Sequence, residues 1–63
     1  MGAQKHMTCY IEKNYRDGRR ETAEIHPKNY QTAMRIVNDI TYSNPDILYT
    51  NLLDKDRDVI YTF

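Results

Sequence analysis

Three groups of side chains in this sequence have types and spacings that bear on chemistry. Asp54, Asp56 and Asp58 alternate with Lys55 and Arg57. Asp-x-Asp-x-Asp opens a calcium loop, in which closely spaced carboxylates supply oxygen ligands. Such a loop also needs glycine at its sixth position and a bidentate glutamate at its twelfth. Val59 stands where the glycine belongs, and Phe63 is the last residue before a twelfth position is reached. The spacing is therefore read as a hairpin turn with solvated carboxylates, and no metal is expected.

Cys9 is the sole cysteine, and His26 and His6 are the only imidazoles. A paired thiol and imidazole can generate a thiolate nucleophile. The strand register argued below sets Cys9 opposite Ile25, the neighbour of His26, and adjacent strand residues point to opposite faces, so the two diverge. Cys9 is read as a small buried hydrophobe. The sequence has no Cys-x-x-Cys, no zinc-type histidine spacing and no Gly-x-Ser-x-Gly elbow, and its two glycines cannot build a phosphate cradle. No catalytic residue and no cofactor are expected, and the chain is read as non-enzymatic.

The third group is basic. Lys13, Tyr15, Arg16, Arg19 and Arg20 gather around one turn. A β-ribbon with such a tip can enter a DNA groove, and a tyrosine there can stack on an unpaired base. The plainer reading is a charged tip that discourages aggregation between strand edges. Nine basic and nine acidic residues give a formal net charge of zero, so the broad positive field that drives nucleic-acid binding is missing. Nucleic-acid binding is kept as the alternative.

These groups sit on a short list of elements. Thr8 to Tyr15 alternates, with Met7, Cys9 and Ile11 on one side and Tyr10, Glu12 and Asn14 on the other, as a half-buried strand does. Arg16-Asp17-Gly18 turns the chain into a second strand, Arg19 to Ile25. With Gly18 in the left-handed position of a three-residue bulged loop, Tyr15 faces Arg19, Lys13 faces Glu21, Ile11 faces Ala23 and Cys9 faces Ile25. Apolar residues then meet apolar ones and opposite charges meet across the ladder.

From Pro27 the period changes. Tyr30, Ala33, Met34, Val37, Ile40 and Thr41 form one stripe of an amphipathic helix, with Pro27 placed in its first turn and Ser43-Asn44-Pro45 as its stop. Ile47 to Leu53 and Val59 to Phe63 are two further strands around the acidic turn. A two-residue loop there pairs Lys55 with Asp58; a three-residue loop opposes Asp54 and Asp58 and aligns Leu53 with Val59 and Leu52 with Ile60. Either way, Leu48 and Leu52 share one face while Ile47, Tyr49 and Leu53 share the other.

The expected architecture is a small α+β domain of order ββαββ, a four-stranded antiparallel sheet with one helix on one face. Its span is Met7 to Phe63, with Met1 to His6 read as a cloning remnant ahead of an initiator Met7. A chain of 63 residues has room for one core only. A core of that size rarely supplies more than roughly 3 to 5 kcal/mol. Burying the uncovered sheet face in a homodimer is the expected support. Six tyrosines suit a contact that tolerates water. The residues expected at such an interface are Tyr10, Leu48, Tyr49, Leu52, Ile60 and Tyr61.

The expected function is that of a protein-binding module acting on a larger partner by stoichiometric contact. In size and plainness the chain resembles the small accessory proteins of phages and mobile elements, which implies inhibition of host machinery. That resemblance is one of size and composition, with no motif behind it. An unpaired cysteine suggests the cytoplasm, and no run approaches the ~20 apolar residues of a membrane span.

Overall fold

A computed structural model describes residues 6–63. Apart from the exposed His6, the leader Met1 to His6 lies outside the described residues. Strands β1 (Cys9–Tyr15) and β2 (Arg20–Ile25) precede helix α1 (Tyr30–Ser43), and β3 (Ile47–Leu53) and β4 (Val59–Thr62) follow it. The strands form one sheet in the order β2-β1-β3-β4, antiparallel throughout. This is the ββαββ arrangement expected from the sequence, with a single helix packed on the sheet.

The first hairpin has the register argued from its side chains. Cys9 pairs with Ile25, Ile11 with Ala23 and Lys13 with Glu21. The Tyr15 N–H donates to the Arg19 carbonyl at 2.8 Å, the Gly18 N–H returns to the Tyr15 carbonyl at 3.0 Å, and Gly18 sits at φ +94°. A left-handed residue closing a three-residue loop matches the right-handed twist of the strands.

The second hairpin repeats this plan without a glycine. The Asp54 N–H donates to the Asp58 carbonyl and the Arg57 N–H to the Asp54 carbonyl, both at 2.9 Å, with Arg57 left-handed at φ 67°. Of the two loops left open by the sequence, the three-residue one is formed, and Leu53 pairs with Val59. Beyond that pair the expected register fails: Leu52 meets Tyr61, not Ile60, and Ile60 is the extra residue of a β-bulge. A second irregularity lies between β1 and β3, where Asn14 pairs with Tyr49 and Tyr15 with Ile47, leaving Leu48 as the extra residue. Bulges adjust strand twist and leave no mark in the alternation of residue types.

The helix begins where its apolar stripe does, at Tyr30, and later than the placement of Pro27 in its first turn suggested. Pro27 is buried but lies three residues ahead of α1, and its carbonyl accepts from the Met7 N–H at 3.0 Å. Asn29 caps the helix instead, its Oδ1 accepting from the Thr32 N–H at 2.8 Å. A side-chain oxygen at that position bonds one of the N–H groups that a helix start leaves unpaired, which a proline ring cannot do. Asn44 ends the helix, as expected from Ser43-Asn44-Pro45.

Cys9, Ile11, Ala33, Val37 and Leu52 make the buried core, with Met7, Ile25, Met34, Ile36, Ile40 and Phe63 around it. Ile36, off the main helical stripe, is thus a flank of the core. α1 packs on β3 and β1, the two central strands. One polar tie joins the layers: the Thr41 hydroxyl donates to the Val37 carbonyl and lies 2.8 Å from the Thr50 hydroxyl.

Candidate functional site

The residues first considered for chemistry are engaged in holding the fold. Asp54 Oδ1 accepts the backbone N–H groups of Asp56 at 2.9 Å and Asp58 at 3.0 Å, so its carboxylate builds the turn. Among the described residues, no three of His, Cys, Asp and Glu stand together as metal ligands do. Cys9 is fully buried. Burial, and then the charge of Asp54, pushes its thiol pKa up, which disfavours the thiolate. His26 is exposed on the other side of the chain, bonded through Nε2 to the Glu24 carboxylate at 2.9 Å.

The basic tip is likewise partnered at home. Arg19 binds the Asp17 carboxylate at 2.9 Å and lies over the Tyr15 ring, 4.4 Å from its centroid. The Tyr15 hydroxyl donates to Glu21 at 2.6 Å, and Lys13 Nζ stands 3.7 Å from the same carboxylate. Arg16 donates from Nε to the Pro45 carbonyl at 2.9 Å, and its own N–H donates to the Asp46 carbonyl, which pins the tip to the loop before β3. Arg20 Nε donates to Asn14 Oδ1 at 3.0 Å.

Arg20 belongs to a polar row that crosses the uncovered face of the sheet. Thr62 donates to Asn51 Oδ1 at 2.7 Å, Asn51 Nδ2 donates to Glu12 Oε1 at 2.9 Å, and Glu12 Oε2 stands 3.9 Å from Arg20. Each of the four strands contributes one member. Beside the row, Tyr10 pairs with the buried Leu53 and carries the Arg57 guanidinium over its ring at 4.1 Å. This face was expected to be mixed, with Tyr10 beside one apolar set of the second hairpin; Tyr10, Tyr49 and Leu53 do share it, around the hydrogen-bonded row. Glu12, Asn14 and Asn51 alternate with core residues, and that signal was legible in the sequence.

The six expected interface residues are consequently split. Tyr10 and Tyr49 lie on the uncovered face, through their pairing with Leu53 and Asn14. Leu52 faces the helix and is fully buried, so it offers no surface to a partner. Leu48 protrudes at its bulge, 53% exposed. Ile60 and Tyr61 stand together on β4, and with Tyr30, the first residue of α1, they line an apolar groove of about 330 Å³. Tyr30 was assigned to the buried stripe of the helix; its position at the helix start, beyond the cover of β1 and β3, leaves it 47% exposed.

Comparison with protein-family models, with curated proteins and with solved structures finds no match.

β4 and the groove therefore carry the functional reading on their own geometry. β4 is an edge strand made of Val59, Ile60, Tyr61 and Thr62, all exposed and none charged. The opposite edge, β2, reads Arg-Glu-Thr-Ala-Glu-Ile, with charges of the kind that guard a free edge. Phe63 exchanges both backbone hydrogen bonds with Thr50, at 2.8 and 2.9 Å. In an antiparallel ladder the next residue then turns its groups the other way, so Thr62 presents its N–H and C=O to the open edge. Backbone donors and acceptors, apolar side chains and a groove are brought together at one place.

Proposed function

We propose that this protein is a small protein-interaction module, without catalytic activity, whose working surface is the β4 edge and the groove formed by Tyr30, Ile60 and Tyr61. It acts by stoichiometric contact: an extended protein segment pairs with β4 through main-chain hydrogen bonds while side chains enter the groove, the mode known as strand addition. Inhibition follows wherever the bound partner segment is itself a working surface. The observation that carries the reading is the asymmetry of the two edges, one charged and one uncharged. A free uncharged edge is an aggregation hazard that proteins ordinarily guard, and its retention here accords with use. The single free, buried cysteine supports a reducing compartment such as the cytoplasm, and among the described residues no helix is long and apolar enough to cross a membrane. Nucleic-acid binding ranks second, because the cations proposed for it, Lys13, Arg16, Arg19 and Arg20, all have partners within the chain.

The test is site-specific photo-crosslinking in cells from position 60, with position 22 on β2 as the control. Discrete protein adducts from position 60 and none from position 22 are expected, and Tyr30→Glu should weaken them. Equal labelling from both edges would show that β4 has no special role.

A further inference from the structure

Resting on that reading of β4, we infer that the free protein closes this edge with a second copy of itself, joined about a twofold axis through Thr62. Two antiparallel β4 strands centred there exchange N–H and C=O bonds between Thr62 and Thr62 of the second copy. Tyr61 then lies opposite the second copy's Phe63, and Phe63 opposite its Tyr61, in the close non-hydrogen-bonded pairs of such a ladder.

Two features of the chain agree on this arrangement. The first is chemical match on both faces. Tyr61 and Phe63 already sit side by side with ring centroids 5.9 Å apart, and the twofold brings each copy's Phe63 beside the other's Tyr61, at the mouth of its groove. On the uncovered face, Thr62 ends the polar row that runs back through Asn51 and Glu12 to Arg20. Joining the Thr62 residues carries the row unbroken across eight strands.

The second is the distribution of charge. The Asp54 to Asp58 turn and the Arg16 to Arg19 tip lie at opposite ends of the strands, because β1 and β3 are antiparallel. Thr62 pairs with Asn51, and Asn51 with Glu12, so the axis passes between these two ends. Turning a second copy about it sets the acidic turn of each molecule at the basic end of the other.

Light scattering across a dilution series tests this, on the wild type and on two variants. The wild-type mass should rise with concentration from 7.5 kDa toward twice that value. Thr62→Pro should hold it at the monomer mass at every concentration, with an unchanged circular dichroism spectrum. The N–H it removes faces outward, where an edge strand tolerates proline. Thr62→Cys should form a disulfide-linked dimer under mild oxidation, since hydrogen-bonded antiparallel partners lie about 5.5 Å apart at Cα, within disulfide range. The wild type, whose one cysteine is the buried Cys9, should form none. If Thr62→Pro fails to fold, the cysteine variant decides alone. A monomer at all concentrations, or a dimer that survives Thr62→Pro with no cross-link from Thr62→Cys, overturns the inference. Foreign protein adducts from position 60 would then leave the strand-addition reading standing; their absence as well would bring both down.

Discussion

The two hairpins are built on one plan and differ in what they are free to do. Both close three-residue loops with a left-handed residue, Gly18 in the first and Arg57 in the second. Both use an aspartate side chain to hold the turn, Asp17 bonding the Arg19 N–H and Asp54 those of Asp56 and Asp58. The first continues into six regularly paired residues and ends in a charged edge. The second is interrupted by the bulge at Ile60 and ends in four exposed, uncharged residues. The same local chemistry thus gives a guarded structural arm in one case and an open surface in the other, and what separates them is edge composition and regularity.

The largest effect is expected where the hairpins meet. Ile11 of the first and Leu52 of the second pair directly and are both buried. Leu52→Ala should cost about 3 kcal/mol, the loss of buried methyl groups plus a cavity. Denaturant melts should show most of the domain's stability gone. A cost below about 1 kcal/mol would mean that the hairpins hold together by other means.

Next comes the polar row. Asn51 bridges β4 to β1 by accepting from Thr62 and donating to Glu12. Asn51→Ala removes both bonds from a half-buried site and should cost about 1 to 2 kcal/mol. Hydrogen exchange should report earlier opening of β4 than of β2. Equal loosening of both edges would break the contrast between them.

The turns themselves offer a paired test. A Cβ at Gly18 meets nothing within 4 Å, so Gly18→Ala should cost about 1 kcal/mol through backbone strain alone. Arg57→Gly relieves the corresponding strain but removes the cation from the Tyr10 ring, a contact worth about 0.5 to 1 kcal/mol at exposed sites. The two terms oppose, and its melting midpoint should barely move. A clear gain would show that the Arg57–Tyr10 contact contributes little; a clear loss would show that it outweighs the strain.

The smallest effect is a dependence on pH in the first hairpin. The bonds Asp17 receives from Arg19, backbone N–H first and side chain second, hold its carboxyl below the usual range, and the Tyr15 hydroxyl does the same for Glu21. A depressed carboxyl pKa stabilises the fold above the unfolded value, and that contribution fades as pH falls through the folded one. Acid titration should therefore loosen this tip at the low end of the carboxylate range. Asp17→Asn should flatten the response, and an unchanged profile in that variant would exclude Asp17 as its source.

Much of this molecule was legible because local patterns and tertiary structure agree. Alternation in Thr8 to Tyr15, Gly18 in its turn and the stripe through Ala33 and Val37 each name their element without reference to the rest of the chain. The opposed charges of Lys13 and Glu21 even fix a register. The mixed character of the uncovered face was also present in the sequence, with Glu12 and Asn14 alternating with core residues and Tyr10 and an apolar set of the second hairpin beside them.

The start of the helix was settled by a capping side chain, Asn29, where the sequence offered Pro27 as a rival. The bulges at Leu48 and Ile60 were not readable, since one extra residue leaves composition unchanged while shifting the pairing of everything beyond it. By itself the sequence determined the elements, their order and the paired charges of the first hairpin, because these depend on neighbours within a few residues or directly across a turn. Only the tertiary structure decided that β4 is an outer strand, that Leu52 is buried while Ile60 and Tyr61 are not, and that Tyr30 joins them in a groove. Those outcomes depend on strand order and on how far one helix reaches across the sheet, and neither is encoded in any single stretch of the chain.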